Sequence, residues 1–586
     1  ILGLSDINNN RTTTNDRPGG NDGGGGIFIN GGTLIIDGQG TDVNISGNEA
    51  NDNATAGNAR ASGGGILSVG GMVTITNANI TNNEAIRAGG GIEIVEGTMT
   101  LNNVNLNTND ISATGGNILA TAPGNGGGLH VTGAATVNIF GGTVNDNTAG
   151  REGGGLWNSA TGTMLVGQGT LIQGNATTAN DQGVADGGGG IFNNGGTLTI
   201  NGTMGTVDIS GNFADDGDDG GAERASGGGI LSVGGTVTIT SATITNNEAI
   251  RAGGGIEIVE GTMTLTDVNL DNNDVSSGGP IAAVMPGNGG GLHVTGAANV
   301  TFVDGSVVLN DAGREGGGLW NSATGTMTIT GTAIESNSTE SAPDSHDGGG
   351  GIFNDGGTLN LTNVDLGSGG GDGNVAGGAN STGGGLLSVG GMVTIIDSDI
   401  EHNEANRAGG GIEIISGTLF MQGGSINAND LTTGTPSPGN GGGLHVSQDA
   451  NVTLDNVAVI NNVAGREGGG LWNSADGTMT IRNGTQINGN RTTTNDEGVN
   501  DGGGGIFNNG GTLTIDGTMG TINIINNVAN DDDNGGAGGN NRASGGGILT
   551  VGGNVTITRA NISQNEAIRA GGGIEVVDGT VTLTNI

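Results

Sequence analysis

One motif, written again and again, constrains this chain more than anything else in it: three glycines followed by Ile or Leu. The apolar residue of the motif falls at Ile27, Ile66, Ile92, Leu129, Leu156, Ile191, Ile230, Ile256, Leu292, Leu319, Ile352, Leu386, Ile412, Leu444, Leu471, Ile506, Ile548 and Ile574. Behind each comes a second signal, an aliphatic residue, two variable residues and then Asn, as in Ile80 to Asn83, Leu106 to Asn109, Val144 to Asn147 and Ile172 to Asn175. The interval from anchor to Asn stays between about 17 and 21 residues, whereas the stretch after the Asn varies freely. A constant core segment with an elastic remainder is the pattern of a solenoid.

Composition enters as an apparent objection. With 133 glycines, a net charge of −42 and 32% hydrophobic residues, the 586-residue chain has the profile of a disordered one. Disorder does not hold an apolar anchor in register eighteen times, so the glycine reads as architecture. One repeat shows how a coil is built. Ile256 to Val259 is followed by a turn, Thr262 to Thr266 alternates polar with apolar residues as a strand with one buried face must, Val268 to Leu270 makes a third side, and Asn273 closes the corner. The expected fold is all-β: a parallel β-helix of about 18 coils with three strands each and no visible capping element. It is right-handed, as parallel crossovers nearly always are.

A longer period lies above the coil. The residue after each anchor runs Phe28, Leu67, Glu93, His130, Trp157, and then Phe192, Leu231, Glu257, His293, Trp320. It continues Phe353, Leu387, Glu413, His445, Trp472 and restarts at Phe507, Leu549, Glu575. Five coils therefore form a superrepeat. The chain reads as one continuous solenoid, 1–586, with complete copies at 23–186, 187–347 and 348–501 and partial copies at 1–22 and 502–586. Both ends fall inside a coil, which suggests a piece of a longer polypeptide or a subunit that associates end to end.

The pairing of GGGI or GGGL with an aliphatic-x-x-Asn tail resembles the GGAI and FxxN repeats of polymorphic outer-membrane proteins and related bacterial adhesins. The likeness covers essentially the whole chain, with Gly in place of Ala in the triplet and Ile, Leu or Val in place of Phe before the Asn. It implies a right-handed parallel β-helix exported to the cell surface.

Each repeated residue invites a role. The Asn column, Asn48, Asn83, Asn109, Asn147, Asn175, Asn212, Asn247 and Asn273, reads as an internal amide ladder in which each side chain bonds the rungs above and below. One coil lacks its Asn, because Val364-Asp365-Leu366 runs into Gly367, and a local loosening is expected there. The column after the anchors is expected to point outward. Its aromatic members Phe28, Trp157, Phe192, Trp320, Phe353, Trp472 and Phe507 form a candidate interaction stripe, either covered by the long loops or exposed for lateral association or glycan stacking. The pairs Glu93/His130, Glu257/His293 and Glu413/His445 look like acid/base dyads, but three unelaborated copies point away from an enzyme. The loop acids Asp215, Asp216, Asp218, Asp219, Asp531, Asp532 and Asp533 are oxygen ligands that could take Ca²⁺, or they form solvated acidic loops. No other cofactor is suggested. Arginines such as Arg60, Arg87, Arg151, Arg224 and Arg251 sit just before glycine triplets, where they can pin the corner through carboxylates and carbonyls.

With no Cys there is no disulfide or thiolate metal site. The acidity argues against nucleic acid, and no apolar run is long enough to span a bilayer. The glycine triplets lack the strand-to-helix setting and Lys of a phosphate loop. The expectation is an exported structural solenoid, a surface fibre or stalk. The alternative is an adhesin that binds glycans or a cell-surface protein through the stripe or the acidic loops.

Overall fold

The computed structural model describes the chain except for residues 4, 14–21, 41, 52–60, 113–123, 179–185, 216–224, 277–286, 341–345, 368–372, 432–438, 494–500 and 531–542. The described residues contain strands and no helix, and the strands pair in parallel. The architecture is β-solenoid-like. Two compact units, Ile1–Thr301 and Phe302–Ile586, divide the chain within the 187–347 superrepeat.

In the first unit one coil carries strands Ile66–Ser68, Met72–Thr81 and Glu84–Ala85, and the next carries Ile92–Ile94, Thr98–Asn107 and Asp110–Ile111. They pair residue for residue: Ile92 on Ile66, Leu101 on Ile75, Leu106 on Ile80. Inward positions alternate as the sequence pattern demands, so Val73, Ile75, Ala78 and Ile80 are buried. The long strand changes direction at Asn77 (φ 52°), and its successor does so at Asn103 (φ 51°). Asn is among the few residues that tolerate this left-handed conformation. The bend lets Ile75 and Ala78 both face inward, and one strand then lines two sides of the coil.

The glycine triplet is explained by three separate demands. Gly89 adopts φ 62°. A Cβ on Gly90 would stand 2.6 Å from the carbonyl of Gly127 in the next coil, and one on Gly91 would stand 2.6 Å from the carbonyl of Gly128 and 3.0 Å from the Asn109 amide. The first glycine thus makes the turn, and the other two allow rungs and ladder to close together.

The Asn corner is a ladder in both units. In the first, the side-chain amide of each of Asn48, Asn83, Asn109, Asn147, Asn175, Asn212 and Asn247 donates to the Oδ1 of the following Asn, ending at Asn273, over 2.9–3.0 Å. Each amide also donates to a carbonyl one coil back, as Asn83 does to Ile45 and Asn247 to Ile209. The preceding residue makes the corner: Asn82 and Asn246 have φ 55°. The second unit repeats the arrangement from Asn310 to Asn565.

Here the structure corrects one expectation. The coil of Val364 to Leu366 does not lack its rung. Asn374 enters the ladder, receiving the amide of Asn337 and donating to Asn403, both at 2.9 Å. The intervening segment is an insertion between the aliphatic residue and its Asn, so a fixed spacing hid the partner.

Candidate functional site

The column after the anchors stacks in the order read from the sequence: Phe28 on Leu67, Leu67 on Glu93, Glu93 on His130, His130 on Trp157, Trp157 on Phe192. In the second unit Glu413, His445, Trp472 and Phe507 follow one another in the same way. What differs is exposure. Phe192, Phe353 and Phe507 are each 2% exposed, Trp157 and Trp472 are buried, and Trp320 is half-buried. Phe28 alone in the stripe is open, at 50%. The expected outward stripe is therefore a covered layer. The left-handed turn of each first glycine folds the incoming chain back over it: a Cβ on Gly153 would lie 3.1 Å from the Trp157 Cβ, and one on Gly188 would lie 3.0 Å from that of Phe192. Val233 and Val259 pack on the cluster of Trp157, Phe192 and Leu231. Alternation along a strand assigns two faces, but it does not say that the second face is solvent.

Inside this layer the aromatic rings stack. His130 lies 4.2 Å from Trp157 at 13°, and Trp157 lies 6.0 Å from Phe192 at 2°. His445, Trp472 and Phe507 repeat the geometry at 4.1 and 6.1 Å. The indole N–H of Trp157 donates to Glu152 (2.8 Å), that of Trp320 to Glu315 (3.0 Å) and that of Trp472 to Glu467 (3.0 Å). Burial pushes the carboxyls of Glu152, Glu315 and Glu467 up, Glu315 to about 7, despite the indole bond and the neighbouring arginine.

The dyad carboxylates behave oppositely. Glu93, Glu257 and Glu413 are wholly buried, yet their partners outweigh desolvation and hold all three below the usual Glu range. His130 Nδ1 lies 3.0 Å from Glu93, Arg87 lies 3.3 Å from it, and Thr132 donates its hydroxyl. Glu257 takes Arg251 at 2.8 and 2.9 Å, and Glu413 takes His445 at 3.0 Å and the Ser447 hydroxyl at 2.7 Å. His130, His293 and His445 are each buried beside a carboxylate, and His130 and His445 stack on Trp157 and Trp472. The group is chemically a buried carboxylate held by an arginine, a histidine and a hydroxyl, with the arginine reaching the surface.

The arginines split into two sets. Arg87, Arg251 and Arg569 donate from Nε to Ser62, Ser226 and Ser544, whereas Arg151, Arg314 and Arg466 pair through Nε with Asp186, Asp347 and Asp501 at 2.8–2.9 Å. Both sets tie the corner to the segment one coil away, the second through the expected carboxylates and the first through serine hydroxyls. Arg60 and Arg224 lie outside the described residues. In the third copy the receiving serine is Thr382. Its buried hydroxyl has no hydrogen-bond partner, and Arg407 Nε instead donates to the Asn380 carbonyl at 3.4 Å. A cavity of about 170 Å³ opens nearby among Arg407, Glu413, Ser447 and Trp472.

Sequence reasoning missed a second amide column two residues after the anchors: Asn158 donates to Asn193 (2.8 Å) and Asn193 to Ser232 (3.1 Å). Asn321, Asn354 and Ser388 repeat it, as do Asn473, Asn508 and Thr550. The recurrent LWN and IFN triplets carried the signal. Of the calcium candidates, Asp216, Asp218, Asp219, Asp531, Asp532 and Asp533 lie outside the described residues. Asp215 is half-buried, and its carbonyl accepts from the Thr177 hydroxyl. Among the described residues no group of three or more His, Cys, Asp or Glu could hold a metal. Compared with known proteins, the chain matches no family model, no curated protein and no solved structure.

Proposed function

We propose that this chain is a structural module, a right-handed β-helix of about eighteen three-sided coils that forms part of an exported surface fibre or stalk. The observation that carries the reading is the continuous Asn ladder in each unit, joined to in-register parallel pairing from coil to coil. Such a wall is extended by adding rungs, and its residues are spent on holding rungs together. The buried aromatic and ion-pair layer serves the same end. Ladder coils of one kind are interchangeable, whereas Phe, Leu, Glu, His and Trp in fixed succession make a slip of one coil costly, because a buried Glu would lose its His. The dyads are thus register devices and not catalytic groups.

An adhesin remains the second reading, favoured by the half-exposed ring of Phe28 and by the acidic stretches of variable length that follow the Asn residues in the sequence. Electron microscopy of the protein on its native cells, with antibody labelling, separates the two. Continuous laterally regular filaments support the fibre; isolated rods with a distinct tip support the adhesin; and label confined to the cell interior overturns both.

A further inference from the structure

The first unit carries a surface that neither reading uses. Three successive rungs present Thr197, Thr199 and Asn201, then Thr236, Thr238 and Thr240, then Thr262, Thr264 and Thr266, all directed away from the core. They are in register, Thr199 against Thr238 and Thr238 against Thr264, with the flanking columns likewise aligned. Eight of the nine residues are Thr, none is charged and none is aromatic, on a chain whose net charge is −42. Across the bend at Ser241 and Asp267 the same coils expose a different surface containing Asp208, Asp267 and Asp271. Intrinsic strand preference explains Thr in a strand. It does not explain why one face carries Thr at eight of nine positions while the adjoining face of the same coils mixes Asp, Asn and Ser with Thr243 and Thr245.

The two faces also differ in how their polar groups are used. On the adjoining face of this unit side chains bond one another along the column, Asn79 to Asn44 at 3.0 Å, Asn105 to Asn79 at 2.8 Å and Thr143 to Asn105 at 3.0 Å. In the threonine array no hydroxyl bonds a protein group among the described residues, whereas Asn201 is engaged by Thr203. The array therefore offers a grid of outward hydroxyls and methyls on stiff β-branched side chains. Its repeat is about 4.8 Å between rungs and about 6.7 Å between alternate residues of a strand.

A neutral ligand with the same two-dimensional periodicity would satisfy this grid. Tetrahedral water joined by O–H···O bonds of about 2.75 Å places second-neighbour oxygens about 4.5 Å apart and repeats about every 7.3 Å along the perpendicular axis. Both spacings lie within roughly a tenth of those of the array, and the accumulated mismatch over three rungs stays below about 1 Å. A planar polysaccharide fits less well, because no aromatic ring stands in the array to stack on a sugar. We propose that the Thr197–Thr266 array is an ice-binding face, holding lattice water through its hydroxyls while the methyls occupy the spaces between.

The test is growth of single ice crystals, and recrystallisation of polycrystalline ice, in solutions of the full chain. The unmodified protein is expected to shape crystals and suppress recrystallisation. T238K and T264K, which point outward, are expected to abolish both effects while leaving cooperative unfolding unchanged, and T243K on the adjoining face is expected to retain them. Should either lysine variant fail to fold, the double variant T238S/T264S removes the methyls without adding bulk and should weaken the effect. Ice indistinguishable from buffer with the folded wild type overturns the proposal, as does full activity in T238K. Binding of the inactive wild type to cellulose or chitin, lost in T238K, would overturn it in favour of a planar polysaccharide.

Discussion

Two buried columns run through each unit, and they are built on opposite principles. The Asn column repeats one residue, and every member bonds its neighbours in the same way. The column after the anchors changes at every rung and returns only after five. A uniform ladder gives strength without address: any coil could dock on any other. The mixed column supplies the address, since Glu413 needs His445 beside it and His445 lies against Trp472. Cohesion and phase are thus assigned to different corners of the same coil.

Breaking each column should have different consequences. Asn247→Ala strands the backbone N–H and amide of Asn212 and the carbonyl of Ile209, and at about 1–3 kcal/mol for each buried unsatisfied group it should cost at least about 3 kcal/mol. Asn246→Ala removes an exposed side chain and forces Ala into a left-handed conformation, for about 1–2 kcal/mol. Hydrogen exchange on the flanking rungs measures both. Equal effects would remove the ladder's claim to be the cohesive element.

In the mixed column Glu257→Ala leaves Arg251 and His293 without their buried carboxylate, and breaking such a network costs about 3 kcal/mol. If this column sets phase, the variant should also refold to misregistered species detectable by limited proteolysis. A purely additive loss, with homogeneous refolded material, would reduce the column to ordinary packing.

The carboxyls give the mixed column a pH signature that the Asn ladder lacks. Glu93, Glu257 and Glu413 are lowered in the folded state, so their contribution is present above the ordinary Glu range and is lost as pH falls through their folded values. Glu315 is raised from 4.5 to about 7, so the folded state binds its proton more tightly and stability declines as pH rises between those values. Urea titrations across this range should show a maximum on the acid side of neutrality. Glu315→Gln should flatten the decline towards pH 7, and an unaltered profile would mean that Glu315 does not set it.

The smallest expected effect compares copies of one corner. Thr382 stands where Ser62, Ser226 and Ser544 receive an arginine, and its hydroxyl is buried without a bond. Thr382→Ser should let Arg407 donate as Arg87 does and stabilise the second unit by about 1 kcal/mol. No change in the denaturation midpoint would show that the substitution is already accommodated.

Periodicity was enough to read the strand pairing, the ladder residues and the succession Phe, Leu, Glu, His, Trp, because a solenoid converts sequence repeat directly into spatial neighbours. Alternation also separated Asn247 from Asn246 correctly. Three things were decided only in three dimensions. The aromatic stripe is covered because a left-handed glycine folds the approaching chain back over it, and alternation within a strand does not register what packs on its far side. Asn374 fills the ladder across an insertion, since the ladder selects whichever amide reaches the corner and not a residue at fixed spacing. Among chemically identical glutamates, burial pushes Glu152 up despite Trp157 and Arg151, whereas at Glu93 the histidine of the next coil and Arg87 outweigh burial and hold it down. A local repeat specifies which residues stack; the charges and covers they meet come from the chain turning back at each triplet and from the coil that follows.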